Sequence, residues 1–337
     1  MSKIKYYLRR IRSLNRGKFK ETFDKIKVKS GKGTIPLAVD MLWCALRYGA
    51  GYTDYEFSAW WTLNGKQRKT YLTRGINDSL VKKVNDPTYY HFLDNKAESF
   101  ELFAEYMGRG HLDLTKTDEK DFEAFMENRE LIIAKPLSEC CGIGVEKLKK
   151  SDFPTVHDMY EHIKSAGGEL VEDYIVQHPA ISAIYPGSVN TIRMVSIISD
   201  DGAPHILYAA IRIGRGGSVV DNLKAGGMGA PIDLETGKIN GVAYGRMDCE
   251  VYETHPDTGV KLYGYQIPMW EEAKELVLKA AVKIPQIRYI GWDVAITENG
   301  PTFVEANQHP GYGFIQYPAN TPDKIGYLPE FRKYFKI

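Results

Sequence analysis

No apolar run in this sequence approaches the roughly 18 residues that a membrane-crossing helix requires. A helical membrane-spanning protein is thereby excluded. The N-terminus also lacks the apolar core of a signal peptide, which predicts a cytoplasmic chain. Cysteine is scarce: Cys44, Cys140, Cys141 and Cys249 are the four in 337 residues, and they form no C-x-x-C. Thiols spaced this way predict a reducing compartment, with the adjacent pair read as packed side chains. There is no internal repeat and no low-complexity linker. At the front there is no strand–glycine–helix alternation, so no mononucleotide-binding unit opens the chain.

Net charge is also nearly absent, at +1, but its distribution is uneven. Residues 1–32 hold twelve lysines and arginines against Glu21 and Asp24, a local charge of +10. The remainder holds 32 basic and 41 acidic residues, or −9. Within the basic segment Ile4, Tyr7, Leu8, Ile11 and Leu14 recur at helical spacing. Two readings follow: a peripheral helix on the anionic inner face of a membrane, or a solvated helix whose apolar stripe packs on the body. The acidic remainder argues against a nucleic-acid partner.

What is present is a soluble composition, 43% hydrophobic and 26% charged, with length enough for two or three lobes. The order of elements predicts an α+β class. We divide the chain into a basic segment at 1–32, a helical lobe at 33–92, an α+β lobe at 93–178 and a second at 179–337. In the helical lobe, Pro36 to Arg47 is apolar-periodic, and Thr53 or Asp54 is the expected cap of a helix through Phe57, Trp60 and Trp61. Phe92 to Arg109 reads as one helix, with Lys96 in its first turn, where a cation opposes the helix dipole. That placement suits an anion-binding lysine or an ordinary surface one. Glu130 to Pro136 is a strand ending in Lys135, followed by a loop with Gly142 and Gly144. Backbone N–H groups in such a loop can face phosphates, or the loop is a plain strand exit.

Glu169 to Val176 is a further strand, with exposed carboxylates Glu172 and Asp173 and backbone at Tyr174 and Ile175 able to edge a base and ribose. Gln177 and His178 follow it; His178 reads equally as a structural histidine. Two long strands come next, bearing Asn190, Arg193 and Arg212. An arginine in an apolar strand needs an anion, since leaving it buried and unpaired costs several kcal/mol. The loop from Gly214 to Gly229 offers Asn222, Lys224 and close backbone approach at Gly226 and Gly227.

Tyr289 to Gly313 reads as a hairpin followed by a glycine- and aromatic-rich loop. Ile290, Trp292, Val294 and Ile296 alternate with Gly291, Asp293, Ala295 and Thr297. Glu305 and Asn307 stand two apart on the returning strand, on one side of it. A three-residue Glu298–Gly300 loop places Asp293 opposite Glu305. A two-residue Asn-Gly loop slips the register and sends them to opposite faces. If Asp293, Glu305 and Asn307 act together the odd loop is required, and three hard oxygen donors then suit Mg2+ bridging substrate phosphates. The alternative is a hairpin with two solvated acids.

The segments NTIRMVSI, DNLKAGGMG and WDVAITENGPTFVEANQHPG, taken in this order, resemble the ATP-grasp superfamily over about residues 92–318. They look like the glutathione-synthetase-like ligases, and most like the group associated with sugar transfer and capsular polysaccharide loci. The resemblance implies two α+β lobes sandwiching ATP, without a Rossmann-like pre-domain. It implies that Lys96 and Lys135 contact ATP phosphates or the base, that Glu172, Asp173, Tyr174 and Ile175 hold adenine, and that Gln177 or His178 meets the ribose. Mg2+, or Mn2+ in its place, would sit on Asp293, Glu305 and Asn307. Arg193, Arg212, Asn222 and Lys224 would steady the transferred phosphate. The implied activity is ATP-dependent joining of a small carboxylate to an amine on a cell-surface saccharide or precursor. A kinase, or a non-catalytic nucleotide-binding protein docked at a membrane, is the alternative. Val220 stands where the glutathione-synthetase-like enzymes carry an arginine, so their substrate does not transfer.

Overall fold

The front of the chain is helical because its apolar residues recur every three or four positions and its glycines fall at the ends. In the computed structural model, residues 15–138, 143–245 and 250–335 are described. Helix α1 (Arg16–Ser30) begins at Asn15, whose side chain accepts the Lys18 N–H, and stops at Gly31 with φ 66°. An L-residue with a side chain adopts that left-handed conformation at a cost, and glycine does not. The stripe Ile4, Tyr7, Leu8, Ile11 and Leu14 lies outside the described residues, as do Cys140, Cys141, Gly142 and Cys249. Helix α2 (Thr34–Tyr48) buries Leu37, Met41 and Cys44. The next helix, α3 (Tyr52–Phe57), is capped at Gly51, not at Thr53 or Asp54. Asp54 instead sits in the first turn, where its carboxylate accepts the Gly51 N–H at 2.7 Å. The helix ends early, and Trp60–Thr62 is a separate 3-10 turn. Among the described residues no helix is long and apolar enough to cross a membrane.

The chain divides into two compact units, one of residues 1–80 with 312–332, the other of 81–311 with 333–337. The first is helical, around Ile26, Leu37, Met41, Tyr55, Trp60 and Tyr71. Its returning segment is fixed by polar bonds. Tyr312 donates to Asp54 at 2.8 Å, and Gln316 bonds both backbone groups of Leu72 at 2.8 and 2.9 Å. At its centre Asp40 accepts both arms of Arg68 at 2.7 and 2.8 Å and the Tyr55 hydroxyl at 2.6 Å. Burial pushes the Asp40 carboxyl up, but the Arg68 and Tyr55 bonds outweigh it and hold it well below the usual range. A depressed acid stabilises the fold above its unfolded pKa of about 4 and loses that contribution as pH falls further. Asp40→Ala is expected to cost about 2 kcal/mol after solvent screening. A urea midpoint measured at neutral pH checks the cost. The gap between variant and wild type should narrow below roughly pH 4.

The second unit holds two antiparallel sheets. One has the order β1 (His111–Asp113), β4 (Leu170–Asp173), β2 (Leu131–Lys135), β3 (Glu146–Lys149). Its outer face packs Ile132, Ala134 and Val171 against Phe122, Met126, Met159 and Ile163 of two helices. The other has seven strands, in the order β11 (Gly300–Asn307), β10 (Tyr289–Thr297), β5 (Ile192–Ile198), β6 (Pro204–Ile213), β7 (Met228–Ile232), β8 (Ala243–Gly245), β9 (Val251–Tyr252). Met194, Ala209, Trp292 and Val294 share a core with Ala273, Val277 and Ala280 of the helix Trp270–Ala281.

The single helix expected over Phe92–Arg109 is three short pieces, His91–Asp94, Lys96–Leu102 and Ala104–Met107. Asn95 is extended and caps the second piece, accepting from the Ala97 and Glu98 N–H groups. Phe103 breaks the helix at φ −109°, and its ring packs edge-on to Trp292 at 5.3 Å. Tertiary aromatic packing wins there over helical periodicity.

The odd-length loop expected in the hairpin is also corrected. Thr297 pairs with Gly300, so the loop is the two residues Glu298 and Asn299. Asp293 nonetheless pairs with Glu305, because the register shifts between Asp293 and Val294. Val294 pairs with Phe303, which leaves Val304 as the extra residue of a bulge. The shared face was read correctly, but the bulge creates it, not the turn.

Candidate active site

Beside the hairpin lies a cleft lined on one side by Lys135 and Lys147 with residues 172–175, and on the other by Thr191, Arg212, Asp221, Asn222, Val304 and Glu305. An adjoining pocket shares Lys96, Lys135, Val304 and Glu305 and adds Phe100, Asn307, Gln308 and His309. Of the residues singled out in the sequence, Lys96, Lys135, Glu172, Asp173, Tyr174, Ile175, Arg212, Asn222, Glu305 and Asn307 thus line one continuous hollow. Gln177, His178, Arg193, Lys224 and Asp293 are not on its wall. Buried Gln177 donates to the Tyr185 and Ser188 carbonyls and accepts the Asn190 N–H at 3.0 Å, which occupies its amide fully. His178 Nδ1 accepts the Ala180 N–H at the start of a helix, the structural role the sequence had allowed.

Glu172 is not an exposed carboxylate; it is 4% exposed. Lys135 Nζ donates to its Oε1 at 2.6 Å, and Arg109 Nη2 to its Oε2 at 3.0 Å. Burial pushes Glu172 up, but Lys135 and Arg109 together hold it below the usual range. Burial lowers the Lys135 ammonium, and Glu172 opposes the shift. Two cations against one carboxylate leave this wall with an excess positive charge. Lys96 lines the same hollow; its Nζ donates to the Leu137 carbonyl at 3.2 Å. Lys147 lies 4.2 Å from the Tyr174 ring centroid, a cation–π contact.

The opposite wall has the reverse balance. Asp293 is fully buried. It accepts Arg193 Nε at 2.5 Å and Nη2 at 2.9 Å, and Arg212 Nη2 at 3.0 Å. Burial raises its carboxyl, yet the two arginines hold it at about 2. The anion that each strand arginine needed is therefore the protein's own carboxylate. Arg212 also reaches Asp221 at 3.3 Å, and Asp221 accepts the Thr191 N–H at 2.9 Å. Burial pushes Asp221 up against Arg212. Burial and the neighbouring Asp293 charge raise Glu305. Three carboxylates, Asp221, Asp293 and Glu305, face two arginines, so one negative charge is left over at Glu305. Among the described residues no cluster of three His, Cys, Asp or Glu could hold a metal by itself. The donors on this wall are Glu305 and the Asn307 amide 3.4 Å from it; Asp293 lies buried behind them, paired with Glu305 across the strands. A carboxylate and an amide oxygen suit Mg2+, which needs only one or two carboxylates and completes its shell with water and phosphate oxygens.

Two groups were missed in the sequence. Arg109, at the end of the stretch read as one helix from Phe92, binds Glu172 and also donates through Nη1 to the Phe303 carbonyl, the residue before the bulge. It thereby ties the lysine wall to the strand that carries Glu305. Its spacing gave no sign of this, because the helix expected there does not continue. Asp221 stood next to Asn222 in the quoted loop; an acid beside a glycine turn reads as solvated. That loop closes with Gly227 N–H on the Asn222 carbonyl at 3.0 Å. A Cβ at Gly227 would meet the Asp221 carbonyl oxygen at 2.4 Å, so the position requires glycine. Arg109→Ala leaves Glu172 with one cation and the Phe303 carbonyl without its donor. The expected loss is about 2–3 kcal/mol of stability. Arg109→Lys should recover only part of it, because one ammonium cannot span both acceptors. Denaturant midpoints of the two variants test this; equal losses would reject the bridging role.

The profile of the sugar-transfer associated ATP-grasp proteins matches residues 75–322. The chain belongs to that family. It therefore has the ATP-grasp fold, in the α+β form described above. No curated protein matches it in sequence. Among similar solved structures are the ATP-grasp ligase PsnB with its minimal precursor, at 15% identity and TM-score 0.44 over 74% of this chain and 63% of that one. Another is the D-alanine–D-alanine ligase of Bacillus anthracis, at 14% identity and TM-score 0.42 over 80% and 76%. The biotin carboxylase domain of Hydrogenobacter thermophilus 2-oxoglutarate carboxylase, crystallised with MgADP and bicarbonate, matches at 16% and TM-score 0.42 over 66% and 41%. The chain thus spans well under two thirds of the carboxylase domain and just under two thirds of PsnB.

Proposed function

We propose that this ATP-grasp protein is an ATP- and Mg2+-dependent carboxylate–amine ligase acting on a cell-surface saccharide or its precursor. The observation that carries the reading is the opposed charge of the two walls: surplus cation where Lys135 and Arg109 share Glu172, surplus carboxylate at Glu305. A polyphosphate neutralises the first and a divalent cation the second. Bound Mg2+ would supply charge neutralisation between the phosphate oxygens. Glu305 and Asn307 would hold it, backed by Asp293, whose orientation Arg193 and Arg212 fix. Lys96 and Lys135 would hold phosphate oxygens, and the strand edge at Tyr174 and Ile175 the base.

In the proposed reaction a substrate carboxylate oxygen attacks the γ-phosphorus, and the bond to the ADP oxygen breaks. The amine then attacks the acyl carbon, phosphate leaves, and the amine proton is lost to solvent. Arg212 and Asn222 face the hollow where the transferred phosphoryl group would lie. The saccharide assignment is supported by the family's association with sugar transfer.

The test is a product balance. With ATP, Mg2+ and candidate acid–amine pairs, ADP and free phosphate should appear in equal amounts, together with an amide. Phosphate retained on a hydroxyl product would replace the ligase with a kinase. ADP release indifferent to every carboxylate would reject the proposal.

A further inference from the structure

Helix α2 is apolar on two opposite sides. Leu37, Met41 and Cys44 face the core. Ile35, Val39, Leu42, Trp43 and Leu46 recur at the same helical spacing on the other side and are 55–76% exposed. A helix apolar all round belongs in a core or against lipid. A contiguous exposed patch of this kind marks an interaction site. The acid in α2, Asp40, is turned inward to Arg68, and the outer face ends in basic Arg47.

The neighbouring helix decides what covers the patch. Helix α1 joins α2 through Gly31–Gly33, and Ile26 shares the core with Leu37 and Met41. It exposes Arg16, Lys18, Lys20, Lys25, Lys27 and Lys29 against Glu21 and Asp24, and Val28 is 83% exposed among them. Residues 1–14 add five basic side chains and no acid. A second copy seated on the patch would bring two basic helices together. An anionic surface relieves the charge, and a bilayer also takes the apolar face.

We propose that α2, flanked by α1, docks the protein on an anionic lipid bilayer. Leu42, Trp43 and Leu46 enter the boundary between headgroups and acyl chains, and the α1 lysines meet acidic headgroups. Tryptophan is the side chain that favours this depth. The inference does not depend on the ligase reading, since lipid binding is measured without ATP.

The experiment is co-sedimentation of the full chain with vesicles of phosphatidylcholine alone, or of phosphatidylcholine with phosphatidylglycerol. Binding is expected only to the anionic vesicles and should weaken with salt. Leu42→Ser, Trp43→Ser and Leu46→Ser together should lower partitioning about tenfold or more. Lys20→Glu with Lys27→Glu should do the same. Both variants change exposed positions, so circular dichroism should match wild type. Should the triple variant misfold, quenching by brominated lipid compares wild type with Trp43→Phe, and the quenching should disappear. Three results overturn the proposal: no binding to either vesicle, unchanged binding by the triple variant, or a dimer abolished by that variant with no lipid binding in wild type.

Discussion

Asp293→Ala is expected to lower folding stability by about 3–5 kcal/mol, the cost of removing one partner from a buried ion pair. The reason is the pair of arginines it leaves behind. Arg193 and Arg212 stand on adjacent strands, each about one-eighth exposed at the side chain, and Asp293 is their shared anion. Removing it strands two guanidinium groups in the middle of the seven-stranded sheet. Arg212 keeps Asp221 at 3.3 Å; among the described residues Arg193 keeps no carboxylate at salt-bridge distance, only the longer-range charge of Glu305. Asp293→Asn should cost less, since an amide oxygen still accepts one N–H. Guanidinium denaturation with an unchanged m-value is the measurement. A loss under about 1 kcal/mol would show that these arginines do not depend on Asp293.

Glu305→Gln is expected to do the opposite: leave stability unchanged or slightly raised, and cut ADP formation about a thousandfold, an order suited to losing several kcal/mol of metal-borne charge stabilisation. The two effects separate because Glu305 carries the unbalanced charge. In the fold it is a third carboxylate against two arginines, and a neutral amide relieves its repulsion with Asp293. In the proposed reaction that surplus charge is what retains Mg2+. Melting temperature and turnover are therefore read on one sample across a Mg2+ series. If extra Mg2+ restores full turnover, Glu305 contributes affinity alone. If turnover does not change at all, the metal site lies elsewhere.

These two variants also mark where sequence reasoning reached and where it stopped. Period-two alternation in β10 placed Asp293 on the polar face, and the i, i+2 spacing placed Glu305 and Asn307 together. Both hold in the structure. The linear pattern could not show Val304 as a bulge. A bulge is a choice between ladders, and the choice depends on what Phe303 and Trp292 pack against. The buried arginines were legible as groups in need of anions, but their partners were not. Arg193 and Asp293 are 100 residues apart and meet only because β10 lies beside β5. The charge of Glu172 was likewise read as solvent-facing. An acidic pair at a strand end has that appearance until Arg109 and Lys135, 63 and 37 residues away, close over it.

The sequence by itself determined the α+β class, the family through three motif segments, and the residue types that gather at the hollow. Each of these is local: periodicity, spacing and turn chemistry are carried within about twenty residues. Tertiary structure alone decided which charges are paid out internally and which face the cleft. Electrostatic balance is a sum over neighbours in space, and strand order, not chain order, brings those neighbours together.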